Sequence, residues 1–209
     1  VDGELVAVRP CTENDDGLLA TAGGKCIRFS VSDVRVFAGR TSTGVRGIKL
    51  AKDDRVISMS ILRSGEAESI EERDAYLRYA NAKRRGENGP AENGGDAVGG
   101  DYGAELTQQR LQELEEAEQF ILSVADDGYG KRTSAYEYRL AGRGGQGIGN
   151  MDLYRGDGRE AGVVAAFPVE PGDQIMLVTD GGKLIRSPVE DIRIAGRTTR
   201  GVMLFRIDR

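Results

Sequence analysis

Apolar and polar residues alternate with a period of two along several short stretches of this chain. Ile27, Phe29 and Val31 alternate with polar residues, and so do Ile192 and Ile194. Asp-Gly and Gly-Gly pairs separate the apolar runs, and such pairs adopt the positive φ angles that tight hairpin turns need. The pattern therefore predicts short antiparallel strands joined by hairpins.

A twelve-residue segment, which we call the box, occurs three times in the sequence. The first, second and third boxes are residues 39–50 (GRTSTGVRGIKL), 142–153 (GRGGQGIGNMDL) and 196–207 (GRTTRGVMLFRI). They share the pattern G-R-x-x-x-G-[VI]-x-x-[IMF]-x-[LI], and a hairpin-turn sequence lies upstream of each one. Such internal repetition indicates an architecture built from similar modules.

The boxes and the apolar runs before them divide the chain into units at about 3–50, 55–153 and 162–207. About four short strands in a unit of ~45 residues is typical of a propeller blade. A β-sandwich would also show strands and turns, but it would not repeat at this period. We therefore expect an all-β, propeller-like fold of about three four-stranded blades.

The middle unit is longer than the others because it contains an acidic insertion at residues 64–119. The insertion has fourteen acidic and six basic residues, and the rest of the chain has twenty acidic and twenty-three basic residues. The net charge of −5 therefore hides a mildly basic body. Glu66 to Arg85 and Glu105 to Glu118 have the composition of helices, and the glycine-rich residues 86–103 between them are expected to lack packed structure.

The composition excludes several classes of site. The chain has no histidine, which excludes Ser-His-Asp and Cys-His catalysis and every His-ligated metal site. Cys11 and Cys26 form no CxxC pair, so we expect a reduced, cytosolic protein. No apolar run approaches the ~20 residues of a membrane-spanning helix. Thirty glycines and only five prolines favour a β protein rich in turns over a disordered chain.

The remaining polar motifs do not predict catalysis. Paired acids occur at residues 15–16, 53–54 and 126–127, but each pair lies at a turn, where Asx-turn chemistry explains it. Residues 142–147 superficially resemble a phosphate loop, but they lack the G-K-[ST] ending and the strand–loop–helix context. We therefore expect no catalytic and no metal-binding residues in this chain.

Basic residues, in contrast, recur with the repeat. Each of four sets has one member in every repeat. The first set follows the hairpin turns, the second lies nearby in the next strand, the third precedes the boxes, and the fourth occupies the second position of each box. Together with three further cations within the boxes, the candidate DNA-binding residues are Lys25, Lys131, Lys183, Arg28, Arg132, Arg186, Arg35, Arg139, Arg193, Arg40, Arg143, Arg197, Arg46, Lys49 and Arg200.

Equivalent positions on blades around an axis would form a ring or stripe of cations along one rim. Such a stripe suits a long polyanion, because each neutralised phosphate releases condensed counterions. The glycines of the boxes would also let backbone N–H groups approach phosphates. The alternative interpretation is that these cations solvate exposed strands and pair with Asp33, Glu137 and Asp191.

The boxes and the run at residues 130–138 (GKRTSAYEY) resemble the DNA gyrase C-terminal domain family, which is found in the A subunit of that enzyme. The family has a β-pinwheel fold, a propeller-like ring of blades whose basic rim wraps duplex DNA. The second box resembles the family's Q-R-R-G-G-K-G box, but it lacks the leading glutamine and double arginine, and Gln146 replaces the basic residue. We therefore expect the defining box upstream of Val1, and interpret the chain as the C-terminal half of a pinwheel in a longer polypeptide.

The resemblance implies a non-catalytic, DNA-wrapping role in a bacterial type II topoisomerase. DNA bent around the rim would be presented as a positive crossover, so that strand passage introduces negative supercoils. The implied partners are double-stranded DNA, the N-terminal region of the gyrase A subunit, and the gyrase B subunit in an A2B2 holoenzyme, without a membrane. The implied location is the cytoplasm, with the nucleoid. ATP and magnesium would act elsewhere in the holoenzyme, so no cofactor is expected in this chain.

Two alternatives stay open at this point. The C-terminal domain of the topoisomerase IV A subunit belongs to the same family, lacks the full box and steers the choice of DNA substrate. A propeller-type scaffold for protein interactions would instead use the acidic insertion as its docking element.

Overall fold

A computed structural model describes residues 3–64, 69–88, 106–156 and 160–207 of the chain. The chain divides into two compact units. The first unit comprises Val1–Ser64 and Gln119–Arg209, and we call it the β unit. The second unit comprises Gly65–Glu118, and we call it the helical insertion. Within the described residues, no helix is long and apolar enough to cross a membrane.

The described residues of the β unit form ten short strands and three 3-10 turns. The turns Val31–Asp33, Ala135–Glu137 and Val189–Asp191 follow the second strand of each repeat. The strands are β1 (Asp15–Thr21), β2 (Lys25–Ser30), β3 (Val56–Arg63), β4 (Phe120–Ala125), β5 (Tyr129–Ser134), β6 (Ile148–Gly149), β7 (Val163–Val169), β8 (Gln174–Val178), β9 (Leu184–Pro188) and β10 (Val202–Met203).

Each four-stranded blade contains strands from the repeat that follows it. The first sheet has the order β3-β1-β2-β6 and the second has the order β10-β5-β4-β7, while β8 and β9 form a two-stranded sheet. The edge strands β6 and β10 come from the second and third boxes, and they pair with β2 and β5 of the preceding repeat. The all-β, propeller-like fold expected from the sequence is confirmed, with two four-stranded blades and a third hairpin among the described residues. The exchange of strands between repeats is a feature that the sequence pattern did not specify.

The strand exchange depends on a glycine at the sixth box position. Gly147 and Gly201 both have positive φ, 71° and 83°, which L side chains rarely adopt. A Cβ atom on Gly147 would overlap the Cys26 carbonyl, and one on Gly201 would overlap the Gly130 carbonyl. These glycines therefore allow the box backbone to meet the backbone of the preceding blade.

Two hydrophobic cores lie on opposite faces of β4. Leu18, Leu62 and Ile121 belong to one core, and Leu122 and Val169 belong to the other. Ile121 and Leu122 are both fully buried because successive side chains of a strand point to opposite faces. Burial of each such side chain contributes roughly 1.5–3 kcal/mol. The second blade is therefore covered on both sides.

Residues 5–11 resemble β7 in sequence (LVAVRPC against VVAAFPV), yet they form no strand. Their turn is the same, because the Asp15 carboxylate accepts the Thr12 N–H as the Asp173 carboxylate accepts the Glu170 N–H. Both β3 and β7 pair with the first strand of the preceding repeat. Residues 5–11 thus share the sequence pattern and the following turn of β7, but they are not paired as a strand.

The helical insertion contains α1 (Ile70–Asn88) and α2 (Gln108–Glu116). Thr107 caps α2 by accepting the Arg110 N–H, and the Arg110 guanidinium pairs with Glu72 of α1 at 2.6 Å. Leu111 and Leu114 are buried. The two predicted helices are thus present, while most of the glycine-rich stretch between them lies outside the described residues.

We predict that Gly147→Ala and Gly201→Ala each destabilise the β unit by about 2 kcal/mol or more, because the new methyl displaces a paired strand. Gly44 is the matched control: it has the same box position and a φ of 75°, but a Cβ there meets nothing within 4 Å. Gly44→Ala should cost only about 1 kcal/mol of backbone strain. Urea unfolding of the three variants measures the difference, and equal losses would contradict the role of close approach.

Candidate nucleic-acid interface

Consecutive boxes lie side by side in the β unit. The Lys49 N–H of the first box donates to the Gly145 carbonyl of the second at 2.8 Å. The Asp152 N–H of the second box donates to the Thr199 carbonyl of the third at 3.2 Å. The donors share one box position and the acceptors share another, so the same contact is made twice. The boxes therefore form one continuous row.

The arginines at the second position of the second and third boxes connect each of these boxes to the preceding one by a hydrogen bond. Arg143 donates through Nη1 to the carbonyl of Arg46 in the first box, and Arg197 donates through Nη1 to the carbonyl of Gly149 in the second. These acceptors are equivalent, and both arginines are half-buried. Arg40, in the first box, is exposed. The three side chains are thus equivalently placed, but two of them already bind protein carbonyls.

A second set of arginines connects the first two blades to the next repeat by hydrogen bonds to backbone carbonyls. Arg28 pairs with Asp16 at 2.6 Å and donates to the carbonyl of Ala135, which begins the following 3-10 turn. Arg132 donates in the same way to the carbonyls of Glu190 and Ile192, in and just after the next turn. The register pairs Leu18 with Arg28, Leu122 with Arg132 and Met176 with Arg186, so these three arginines are equivalent.

Arg28 is therefore removed from the candidate DNA-binding set. Its side chain is only 6% exposed, and it is held by Asp16 and by the carbonyls of Ala135 and Arg63. A phosphate could reach it only by displacing these partners. Arg186, in the third repeat, is exposed.

The lysines that follow the hairpin turns are not a threefold set. The strand registers make Lys25 equivalent to Tyr129 and to Lys183, whereas Lys131 occupies the position of Ile27 and Ile185. Lys131 is fully buried, which contradicts its prediction as a DNA contact. The sequence pattern equated the three lysines because each one follows a hairpin turn. In the second repeat, however, the lysine lies two residues further along the strand than in the other two repeats.

Burial changes the titration of the groups beneath the boxes. Loss of water lowers the pKa of Lys131 to about 8, and the nearby Glu137 opposes that shift. Burial also raises the pKa of the Cys26 thiol to about 12, in spite of the nearby cations Arg197 and Lys131. A thiol with so high a pKa is a poor nucleophile at neutral pH.

Most of the remaining candidate cations lie on the surface. Arg132, Arg143 and Arg197 are half-buried. The exposed members of the candidate set are Lys25, Arg35, Arg40, Arg46, Lys49, Arg139, Lys183, Arg186, Arg193 and Arg200. Sequence reasoning did not include Tyr129, whose ring centre lies 5.7 Å from the Arg200 guanidinium carbon and supports that cation.

One triplet is both equivalent and exposed in all three repeats. Arg35, Arg139 and Arg193 each lie two residues after a 3-10 turn, and each is exposed. The backbone around Arg193 is fixed, because its carbonyl accepts the Arg132 N–H at 3.0 Å. The segment after the second turn likewise runs beside β2, where the Ala141 N–H donates to the Arg28 carbonyl at 2.9 Å. Paired backbone thus presents Arg139 and Arg193 at corresponding places. Arg35 shares their position after the turn and their exposure.

We predict that Arg28→Ala destabilises the β unit by about 3–5 kcal/mol, because it leaves the buried Asp16 carboxylate without its cation. Arg186→Ala removes the equivalent but exposed side chain and should change the unfolding free energy by less than about 0.5 kcal/mol. Denaturant unfolding of both variants tests this contrast. Similar losses of unfolding free energy at the two positions would contradict the role of Arg28 in connecting the repeats.

Comparison with known protein families separates the β unit from the helical insertion, as the fold does. The sequence profile of the family described as "DNA gyrase C-terminal domain, beta-propeller" matches residues 17–63, 119–169 and 173–209. The gap at residues 64–118 corresponds to the helical insertion. The profile thus matches well over half of the chain.

Curated relatives of the chain are A subunits of DNA gyrase. The chain is 51% identical to the DNA gyrase A subunit of Granulibacter bethesdensis over 98% of its own length and 22% of that protein. It is 46% identical to the DNA gyrase A subunit of Rickettsia bellii over 99% of its length and 22% of that protein. The chain therefore spans about a fifth of the length of these relatives.

Solved structures agree at the level of the fold. The C-terminal domain of DNA topoisomerase IV has a TM-score of 0.63 at 16% identity, over 93% of this chain and 43% of the other. The C-terminal domain of E. coli ParC has a TM-score of 0.52 at 13% identity, over 95% of this chain and 60% of the other. The resemblance to the gyrase family inferred from the boxes is confirmed, and the chain belongs to the DNA gyrase C-terminal domain, beta-propeller family.

Proposed function

We propose that the chain binds duplex DNA along the row of boxes and acts as a DNA-wrapping part of the DNA gyrase A subunit. The observation that carries the proposal is the triplet Arg35, Arg139 and Arg193, which is exposed at the same place in three successive repeats. A polyanion of regular spacing matches such a regular set of cations. The gyrase relatives favour this assignment over topoisomerase IV, to which the likeness is one of fold.

The cations most suited to phosphate contact are those that the protein does not itself bury. Arg40, Arg46 and Lys49 extend the triplet along the first box, and Arg200 extends it along the third. Arg143 and Arg197 contribute by holding neighbouring boxes together, so that the exposed cations keep their spacing. Contacts of this kind position DNA without reading its sequence.

Wrapping requires that many modest contacts offset the stiffness of DNA. Smooth bending of 20–30 base pairs costs on the order of 1–6 kcal/mol. Cations on successive repeats reach successive phosphates only if the duplex follows the row of boxes. The chain thereby bends DNA as a consequence of binding it.

The role in the enzyme follows from this bend. DNA held by the boxes is presented to the cleavage region as a positive crossover, and strand passage then introduces negative supercoils. The partners are the N-terminal region of the gyrase A subunit, together with the gyrase B subunit. These partners use ATP and magnesium, and the protein works in the cytoplasm with the nucleoid. This chain contributes the shape of the DNA path and no catalytic group.

We predict that the triple variant Arg35→Ala, Arg139→Ala, Arg193→Ala binds duplex DNA far more weakly than the wild-type chain. The slope of log K against log salt should become shallower by about 0.9 for each phosphate that the variant no longer neutralises. Fluorescence anisotropy with a duplex, repeated over a salt series, measures both quantities.

The matched control removes three exposed cations outside the triplet and the boxes, Arg9, Arg55 and Arg85. It changes the net charge by the same amount and should leave the salt slope nearly unchanged. If the two triple variants weaken binding equally, net charge alone governs binding and the proposed interface is wrong.

A further inference from the structure

The buried ammonium of Lys131 contacts three backbone carbonyls of the third box. Its Nζ donates to the carbonyl oxygens of Gly196, Arg197 and Thr199 at 2.7, 2.6 and 2.9 Å. The three acceptors belong to one turn, and the Nζ atom joins that turn to β5 of the second blade. Three N–H donors thus meet three carbonyls of the box that completes the blade.

The other repeats show that the fold does not require a lysine there. Ile27 and Ile185 occupy the equivalent positions in β2 and β9. In the first blade, a cavity of about 280 Å³ is lined by Ile27 and by residues 145–147 of the second box. The second blade therefore has a cationic anchor beneath its box turn where the first blade has an apolar side chain and a cavity.

A buried ammonium is costly to desolvate, and its hydrogen bonds to the three carbonyls offset that cost. The charged and titratable groups around Lys131 are Glu137, Arg197, Cys26 and Asp152, and burial still holds its pKa at about 8. The apolar residues Ile27 and Ile185 fill the equivalent strand positions, so packing of the strand does not call for a charge there. What the ammonium adds is its hydrogen bonds to the turn 196–199, and this turn lies between two exposed cations, Arg193 and Arg200.

We propose that Lys131 is a positioning residue for DNA binding, whose ammonium fixes the turn 196–199 so that Arg193 and Arg200 keep the geometry that phosphate contact needs. The inference rests on the proposed function and adds one element to it. Lys131 makes no contact with DNA itself, because it is fully buried.

The test is Lys131→Met in the full chain, compared at pH 7 with the wild type. We expect duplex affinity to fall by about threefold to tenfold under conditions where urea unfolding shows both proteins to be folded. Hydrogen exchange of the amides of residues 196–201 should become faster. The matched control is Ile27→Met, a similar change at the sister position, which should leave affinity unchanged.

The pH dependence supplies a second signature, in which stability and affinity move in opposite directions. The folded lysine loses its proton near its pKa of about 8, and the unfolded lysine keeps it to a pKa of 10.5. Between these values the unfolded state binds more protons, so the stability of the wild type relative to Lys131→Met rises with pH. Over the same range the neutral amine loses a donor, so the wild-type affinity falls toward that of the variant.

Each result separates this inference from the proposed function. Equal affinity of wild type and Lys131→Met, with parallel pH profiles, would overturn the positioning role and leave DNA binding intact. An equal loss of affinity in Ile27→Met would overturn it as well, since any change under a box would then suffice. Unchanged binding after removal of Arg35, Arg139 and Arg193 would instead overturn the proposed function.

Discussion

Backbone contact between each box and the preceding blade is the interaction on which the rest of the β unit depends. The box strand pairs with β2 or β5 only because Gly147 and Gly201 permit a left-handed turn against a carbonyl. Once that pairing forms, neighbouring repeats cannot move independently, because each blade contains strands of the next. The spacing of surface cations then follows from the spacing of the repeats, and no loop has to set it.

The basic residues of the repeats divide into two physical classes. Some donate to carbonyls and carboxylates within the protein, as Arg28, Arg132 and Lys131 do, and these join blades and boxes. Others, such as Arg139 and Arg193, remain exposed on rigid backbone. Guanidinium suits both tasks, because its fork of donors binds carbonyl oxygens and phosphate oxygens alike. In the proposed function, the first class keeps the spacing of the repeats and the second class is available for phosphate contact.

The two classes cannot be separated in the sequence, because they alternate within a few residues of each other. Arg132 and Arg139 both recur at fixed positions of the repeat, and periodicity gives them equal weight. Lys131 shows the limit most clearly, since counting from the hairpin turn equated it with Lys25, and only the strand register placed it beside Ile27 instead. Burial and partners decide the role of a cation, and both depend on contacts between distant repeats.

The sequence by itself determined the repeat, the β class, the acidic helical insertion and the family. It could do so because hydrophobic period, turn glycines and charge are local properties of the chain. Only the tertiary structure decided that blades exchange strands and which cations are buried. Those outcomes depend on pairing between segments far apart in the chain, and local patterns do not specify such partners.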